Sequence, residues 1–449
     1  MPGGLGHSRD NLDTDDVVDV DEPLIDDDPR PYAPGSARAV LRYSTFRRVY
    51  LGAFLSNVGM WMQNVVLGAL AYSLTGSSSF VGLVVFAQLG PMLFLASVGG
   101  LMADRLDRRR VLVGVSLSQL LLSLVLAGIV APDHPNRTAL LAVVFAIGIG
   151  QAIYGPTFAA LLPQLVERRD LSGAISLNSA QMNASRVVGP VIGAFLDSLA
   201  GASTVFVVNA GSRLFVVVAL LTVQLPRPLV DHAASRGLRA LGDGLAIARR
   251  NPMVGRCLVI ISTYSLISLP FIGQFPVLAE RNLGIDERST AYGALYACFG
   301  IGAVAGALSI GTVFSQRSKA RLARFGLMAF SGALGVLALL RGPMPAYPAV
   351  AVVGFTYFAL VTSLMTLLQE EVEDRVRGRV MALWIMGWAG MVPVGNLVAG
   401  PLIELTSMTT VMLVGAGFAL ALTAYARLEP SHLAPALPPD VAVAPCPGR

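Results

Sequence analysis

The sequence predicts an all-α membrane protein with twelve transmembrane helices in two pseudo-symmetric six-helix bundles. Three observations predict it. Of 449 residues, 54% are hydrophobic and 14% charged, and the mean hydropathy is +0.65, outside the balance of water-soluble domains. Twelve apolar windows approach or exceed the roughly 20 residues that cross a hydrocarbon core about 30 Å thick. The longest internal polar stretch divides those windows six and six.

The windows, spans 1 to 12, run over residues 46–74, 80–103, 110–131, 138–163, 172–199, 203–225, 254–280, 288–314, 321–341, 346–369, 378–404 and 408–428. With 46 glycines and 27 prolines, the composition favours packed membrane helices, in which both residues permit close approach and bending. Residues 1–45 read as a disordered cytoplasmic tail, with ten acids between Asp10 and Asp28 and too little apolar surface to form a core. The tail lacks the basic start and apolar stretch of a signal peptide. Residues 46–225 and 254–428 form the two bundles, and 429–449, rich in Pro and Ala, a second tail. In the linker, 226–253, Leu238, Leu241, Leu245 and Ala248 recur at helical spacing opposite Arg239, Asp243 and Arg249. That pattern fits either an amphipathic helix on the inner membrane surface or a partly helical solvated linker.

The net charge of +5 is spread by topology and does not form a nucleic-acid face. With both termini inside, the inner loops carry Arg105, Arg108, Arg109 and Arg110, then Arg168 and Arg169, then Arg227, Arg236, Arg239, Arg249 and Arg250, then Arg317, Lys319 and Arg321, then Arg375, Arg377 and Arg379. The outer loops hold only Arg137, Arg281, Arg288 and Arg341. This asymmetry predicts an inner-membrane, multi-pass protein with cytoplasmic termini. Cys257, Cys298 and Cys446 lie far apart, so neither a metal site nor a disulfide framework is implied.

One half slides over the other with a shift of 211 residues: Gly82 falls on Gly293, Gly100 on Gly311, Arg110 on Arg321, and Gly189-Pro190 on Gly400-Pro401. A repeat of six helices packed around a midplane site is a plan that transporters use.

Between spans 2 and 3 runs Gly99-Gly100-Leu101-Met102-Ala103-Asp104-Arg105-Leu106-Asp107-Arg108-Arg109-Arg110. Glycine permits close backbone approach, and a carboxylate beside arginines at a membrane edge forms charged contacts that break and re-form as helices move. On these residues the chain resembles the major facilitator superfamily, which implies a gating role for Gly100, Asp104, Arg105, Arg108 and Arg109. Arginines that only enforce topology are the alternative, and Asp104 has no use in it. The second copy is degenerate, with Ser315 in place of the acid.

Gly189, Pro190 and Gly193 in span 5 resemble the Gly-Pro signature of the superfamily's exporters, although Ala194 stands where a second glycine is often found; packing alone is the other reading. Leu74-Thr75-Gly76-Ser77, Leu161-Leu162-Pro163-Gln164-Leu165-Val166 and Arg377-Gly378-Arg379-Val380-Met381 look like the branch of enterobactin exporters and macrolide efflux proteins. The resemblance covers about residues 42–427. It implies export of an amphipathic small molecule, drug or siderophore-like, by alternating access and with proton antiport. Span 4 (Gly148-Ile149-Gly150-Gln151) lacks the arginine that many proton antiporters carry there.

Ionisable groups inside a bilayer are expensive, which makes them functional candidates. Arg186 and Arg213 fall near the midplane of spans 5 and 6, and no acid shares that depth. Arg186, with Asn183 one turn earlier, is expected to line the substrate pathway, where it meets backbone carbonyls, a wet cavity or an anionic substrate. Arg213 is expected to support the bundle. The superfamily's architecture makes spans 1, 4, 7 and 10 cavity walls, which brings in Asn57, Gln63, Asn64, Gln151, Tyr154, Tyr264, Gln274 and Tyr357; bonding between helices is the alternative for each. Trp61, Met62, Trp384, Met386 and Trp388 could accommodate a bulky apolar ligand, although such residues are more often packing or interfacial anchors. Asp197, Glu280 and Glu404, at outer helix ends, are the acids left for coupling.

No phosphate-binding loop and no nucleophile with a base occurs, so neither an ATP-driven pump nor an enzyme is expected, and no metal or cofactor. The expected partners are the lipid bilayer, a small-molecule substrate and protons. A nutrient importer of the same fold and a membrane sensor acting through its acidic tail are the rival readings.

Overall fold

The computed structural model describes residues 32, 35–223, 237–426 and 428, apart from the side chains of a few helical residues among them. Most of the acidic segment, residues 224–236 of the linker and nearly all of the C-terminal segment lie outside the described residues.

A short helix, α1 (Ala37–Val40), precedes α2 (Ser44–Ser73), α3 (Ser78–Arg105), α4 (Arg108–Val130) and α5 (Arg137–Leu161). The helix α6 (Leu171–Thr222) contains Gly201 at φ 79°, a backbone state that glycine adopts without steric cost. The chain reverses there. Asn57 meets Gln181, and Trp61 and Met62 back onto Gly189 and Gly193, so α2 and the first arm of α6 run together. Gly52 meets Phe215 and Ala219 while Gly59 meets Ser212 and Asn209, so the second arm runs against α2. Residues 171–200 and 202–222 are therefore separate crossings, as the two windows there anticipate.

After α7 (Gly237–Arg250), span 7 is broken into α8 (Pro252–Ile267), α9 (Pro270–Gly273), α10 (Phe275–Val277) and a π-helical turn (Leu278–Asn282). Pro270 and Pro276 each remove a backbone donor and clash with the preceding turn. The remaining helices are α11 (Thr290–Gly311), α12 (Lys319–Leu339), α13 (Pro343–Glu371), α14 (Asp374–Ile385), a second π-helical turn (Met386–Gly390), α15 (Met391–Leu405) and α16 (Met408–Tyr425). Among the described residues ten helical segments are long and apolar enough to cross a membrane, one of them the two-armed α6. With α2, 30 residues long but diluted by Asn57, Gln63 and Asn64, they supply the twelve spans.

The halves pack alike. Helix α3 lies on α5 as α11 lies on α13, α4 on α5 as α12 on α13, and α4 on the second arm of α6 as α12 on α16. They meet along two seams, α3 with α15 and the first arm of α6 with α11. One glycine pair that the shift superposes sits at these seams: Gly82 faces the Asn396 backbone, and Gly293 faces Pro190 and Ala194.

Two expectations need adjustment. Residues 35–43, assigned to a disordered tail, are seated: Asp170 accepts from the Gly35 amide and the Tyr43 hydroxyl, both at 2.8 Å, and Ser36 caps α1. A buried carboxylate with two donors holds a segment that composition alone leaves free. The amphipathic helix exists as α7, and it packs on α8 and α14, where Gly244 approaches the Arg379 carbonyl and a Leu383 methyl.

Candidate functional site

The loops rich in arginine and lysine gather at one end of the bundle, the basic end; the opposite end, with the turns at Thr75–Ser77 and Thr406–Ser407, is called distal here. Between the halves lies a cavity of about 180 Å³. Trp61, Leu89, Met92 and Arg186 line it from the first half, and Ile272, Tyr296, Phe299, Tyr357, Phe358, Trp388, Ala389 and Val392 from the second.

Small residues set up this geometry. Gly189 and Gly193 let the first arm of α6 lie directly on α2 beside Trp61 and Met62; a Cβ at Gly193 would stand 2.9 Å from the Met62 Cα. Gly300 of α11 admits Val187 and the Arg186 backbone on the other face of that arm. Arg186 is thereby held at the seam, its guanidinium carbon 5.0 Å from the Trp61 ring centroid and 4.7 Å from that of Phe358. Cation–π contacts of this kind stabilise by about 0.5–2 kcal/mol each. The π-helical turn of span 11 offers Trp388 to the cavity, where its indole N–H donates to the Tyr357 hydroxyl at 2.8 Å.

Of the residues expected on the pathway, Arg186 and Tyr357 line this cavity. Asn183 donates back to the Ser179 carbonyl of its own helix. The others are engaged elsewhere. Asn57 donates to Gln181 and the Met182 sulfur, Asn64 accepts from Gln88 at 2.5 Å, and Gln151 accepts from Gln119 at 3.4 Å. Gln63 accepts from Ser123 at 3.0 Å and Asn209 at 2.7 Å, which closes a buried network between spans 1, 3 and 6. Tyr154 stacks on Phe158, and Tyr264 meets the Phe330 edge. Arg213 is buried and donates to Ser56 at 3.2 Å, inside the first half. Sequence reasoning missed Leu89, Met92, Ile272, Tyr296, Phe299, Phe358, Ala389 and Val392; the aromatic spacing of Tyr296 and Phe299, one turn apart, was a signal for two of them. Trp61 and Trp388 of the aromatic set belong to the cavity, whereas Trp384 is buried in the second half's core.

At the distal end a polar belt joins the halves. Glu404 accepts from the Ser77 hydroxyl and, at 3.0 Å, from the Ser79 amide. Ser78 donates to the Gly400 carbonyl at 2.8 Å, and its own carbonyl accepts from Gln274 at 3.1 Å. Arg281 donates to the Tyr72 hydroxyl and the Gly76 carbonyl, and Arg288 stands 3.5 Å from Asp197, whose side chain is 3% exposed. Glu280 is exposed beside Arg281.

At the basic end Arg108 donates to the Ala160 carbonyl at 3.1 Å and Arg109 to that of Leu221 at 2.5 Å. Both cap the C-terminal ends of helices in their own half, where cations oppose the helix dipole favourably. Lys319 acts in the same way on Ile310, Phe314 and Ser315. Gly100, Asp104 and Arg105 fall in the part of α3 whose side chains lie outside the described set.

Two six-span halves around a cavity at their seam define a transporter of the major facilitator superfamily. Residues 35–435 match the transmembrane secretion effector family, and the chain belongs to that family. It is 27% identical over 351 residues to the enterobactin exporter EntS of Shigella boydii serotype 4 (strain Sb227), covering 76% of this chain and 81% of that one. The values are the same for EntS of Escherichia coli O139:H28 (strain E24377A / ETEC). The fold is also similar to the nucleoside transporter NupG (TM-score 0.66, 16% identity, 85% of this chain and 98% of that one). A bacterial homologue of the human lysosomal transporter Spinster, solved inward-facing and unoccupied, has a TM-score of 0.60, 16% identity and coverage of 85% and 94%.

Proposed function

We propose that this protein exports an amphipathic small molecule by alternating access, binding it in the aromatic cavity that contains Arg186. The observation that carries the reading is the position of that guanidinium, at the seam of the two halves and in contact with rings from both. A ligand there touches both halves and can bias their relative position. Similarity to enterobactin exporters supports the outward direction. The basic end is cytoplasmic by the positive-inside rule, which puts the distal belt outside, in the inner membrane of the cell. Release requires the belt to open. Asp197 and Glu404 tie the halves together there, so their protonation offers a route for proton antiport, with Glu280 beside them. The Asp104 loop gates the cytoplasmic end.

A deletion strain screened for sensitivity to and accumulation of siderophores, macrolides and other amphipaths identifies the substrate. Proteoliposomes with an imposed pH gradient then give the direction. Gradient-driven accumulation on the distal side, reduced at least tenfold by Arg186→Ala, is expected; accumulation on the basic side, or flux indifferent to Arg186→Ala, contradicts the proposal.

A further inference from the structure

The cavity has hydrogen-bond donors with nothing to receive them. Nε and Nη1 of Arg186 are buried and unbonded, and so is the indole Nε1 of Trp61, whose ring lies against the same guanidinium. Both side chains are donors only. Each donor left unpaired away from water costs free energy, and a buried charge without a partner costs more. No carboxylate stands among the described residues that line the cavity. The Tyr357 hydroxyl, an acceptor close by, is already used by Trp388. What remains is apolar, with the rings of Tyr296, Phe299 and Phe358 beside the aliphatic Leu89, Met92, Ile272, Ala389 and Val392. At about 180 Å³ the space is below the roughly 300–1,000 Å³ that encloses a whole drug-sized ligand, so it takes one end of a molecule.

We infer that this end is an anion carried on a flat aromatic ring, an aryl carboxylate or its chemical equivalent. Its oxygens accept from Arg186 and from the Trp61 indole while its ring lies among the aromatic side chains. Amphipathic cations are rejected, because the donors and the guanidinium both oppose them. The inference rests on the cavity being the transport site.

Calorimetric titration of the full-length protein in zwitterionic nanodiscs tests it with three probes that share one ring system: 2-naphthoate, 2-naphthamide and 2-naphthylmethylammonium. Naphthoate is expected to bind about 10- to 100-fold more tightly than the amide, and the ammonium not at all. Arg186→Gln is expected to bring naphthoate down to the amide's affinity, and Arg186→Lys to keep part of the preference. Trp61→Phe keeps a ring and removes the donor; it is expected to weaken naphthoate several-fold and leave the amide unchanged. Equal binding of the three probes, or no binding of naphthoate, overturns the inference. The cavity-filling change Val392→Trp separates that failure from failure of the underlying reading: if it leaves transport intact, the cavity is not the transport site.

Discussion

The guanidinium of Arg186 on span 5 lies 4.7 Å from the ring centroid of Phe358 on span 10, a contact across the seam of the two halves at the level of the cavity. The polar ties between the halves at the distal end are of another kind, short hydrogen bonds and one ion pair. A ligand that engages the guanidinium therefore acts on a contact that both halves share. Phe358→Leu removes the ring and keeps the apolar volume. The apparent KM of the substrate is expected to rise about 2- to 30-fold, the range that a lost cation–π contact implies, while Phe358→Trp keeps it near the starting value. Initial rates in proteoliposomes check both.

Gly193 sets the approach of α2 to the first arm of α6. A Cβ there stands 2.9 Å from the Met62 Cα and 3.1 Å from its carbonyl oxygen, backbone atoms that cannot swing away. Gly193→Val is expected to destabilise the fold by about 1–3 kcal/mol through overpacking. Gly211→Ala, where an added Cβ meets nothing within 4 Å, serves as the tolerant control. Thermal unfolding of the purified proteins in one detergent distinguishes them.

Gln63 belongs to a buried network with Ser123 and Asn209. Asn209→Leu leaves Gln63 and Ser123 short of a donor, and a cost of about 0.5–2 kcal/mol is expected, the scale of interhelical hydrogen bonds in membrane proteins. Gln63→Leu is expected to lower the unfolding midpoint without changing substrate affinity, whereas Arg186→Gln does the reverse. Calorimetric binding beside unfolding curves reads both effects.

Why were the spans legible and the cavity much less so? A bilayer demands a fixed length of apolar chain, so the twelve windows stand out whatever they pack against, and the reversal at Gly201 falls between the windows of spans 5 and 6. The polar residues of those spans carry no comparable label. Asn57, Gln63, Asn64 and Gln151 look alike in sequence whether they face a ligand or another helix, and each found a partner on a neighbouring span. Arg186 was legible because a midplane charge without an acid at its depth must do something costly. The aromatic wall was legible only in part: Trp61, Tyr357 and Trp388 stood out, whereas Phe358 sits in an apolar helix where a ring reads as packing. The belt acids Asp197 and Glu404 were visible only as helix ends; that they bridge the halves emerges from the three-dimensional arrangement.

The Asp197–Arg288 pair and the Glu404 bonds bridge the two halves at the distal end. Arg288→Ala combined with Glu404→Gln is expected to raise the reactivity of a cysteine placed at Val81, a fully buried position near the belt, towards an impermeant maleimide. The increase should be about 2- to 5-fold, the scale of a surface-linked ion pair. Unchanged labelling kinetics would show that the belt does not govern opening.

The central claim is that the two halves separate at the distal end in every transport cycle. Ser77→Cys with Arg281→Cys, at the cross-seam contact where Arg281 donates to the Gly76 carbonyl and in a protein whose native cysteines are replaced by serine, places a thiol on each side of that closure while keeping Glu404. A short bis-methanethiosulfonate cross-linker applied to the pair is expected to stop substrate flux, and reduction to restore it. Undiminished flux through the fully cross-linked protein would contradict the account.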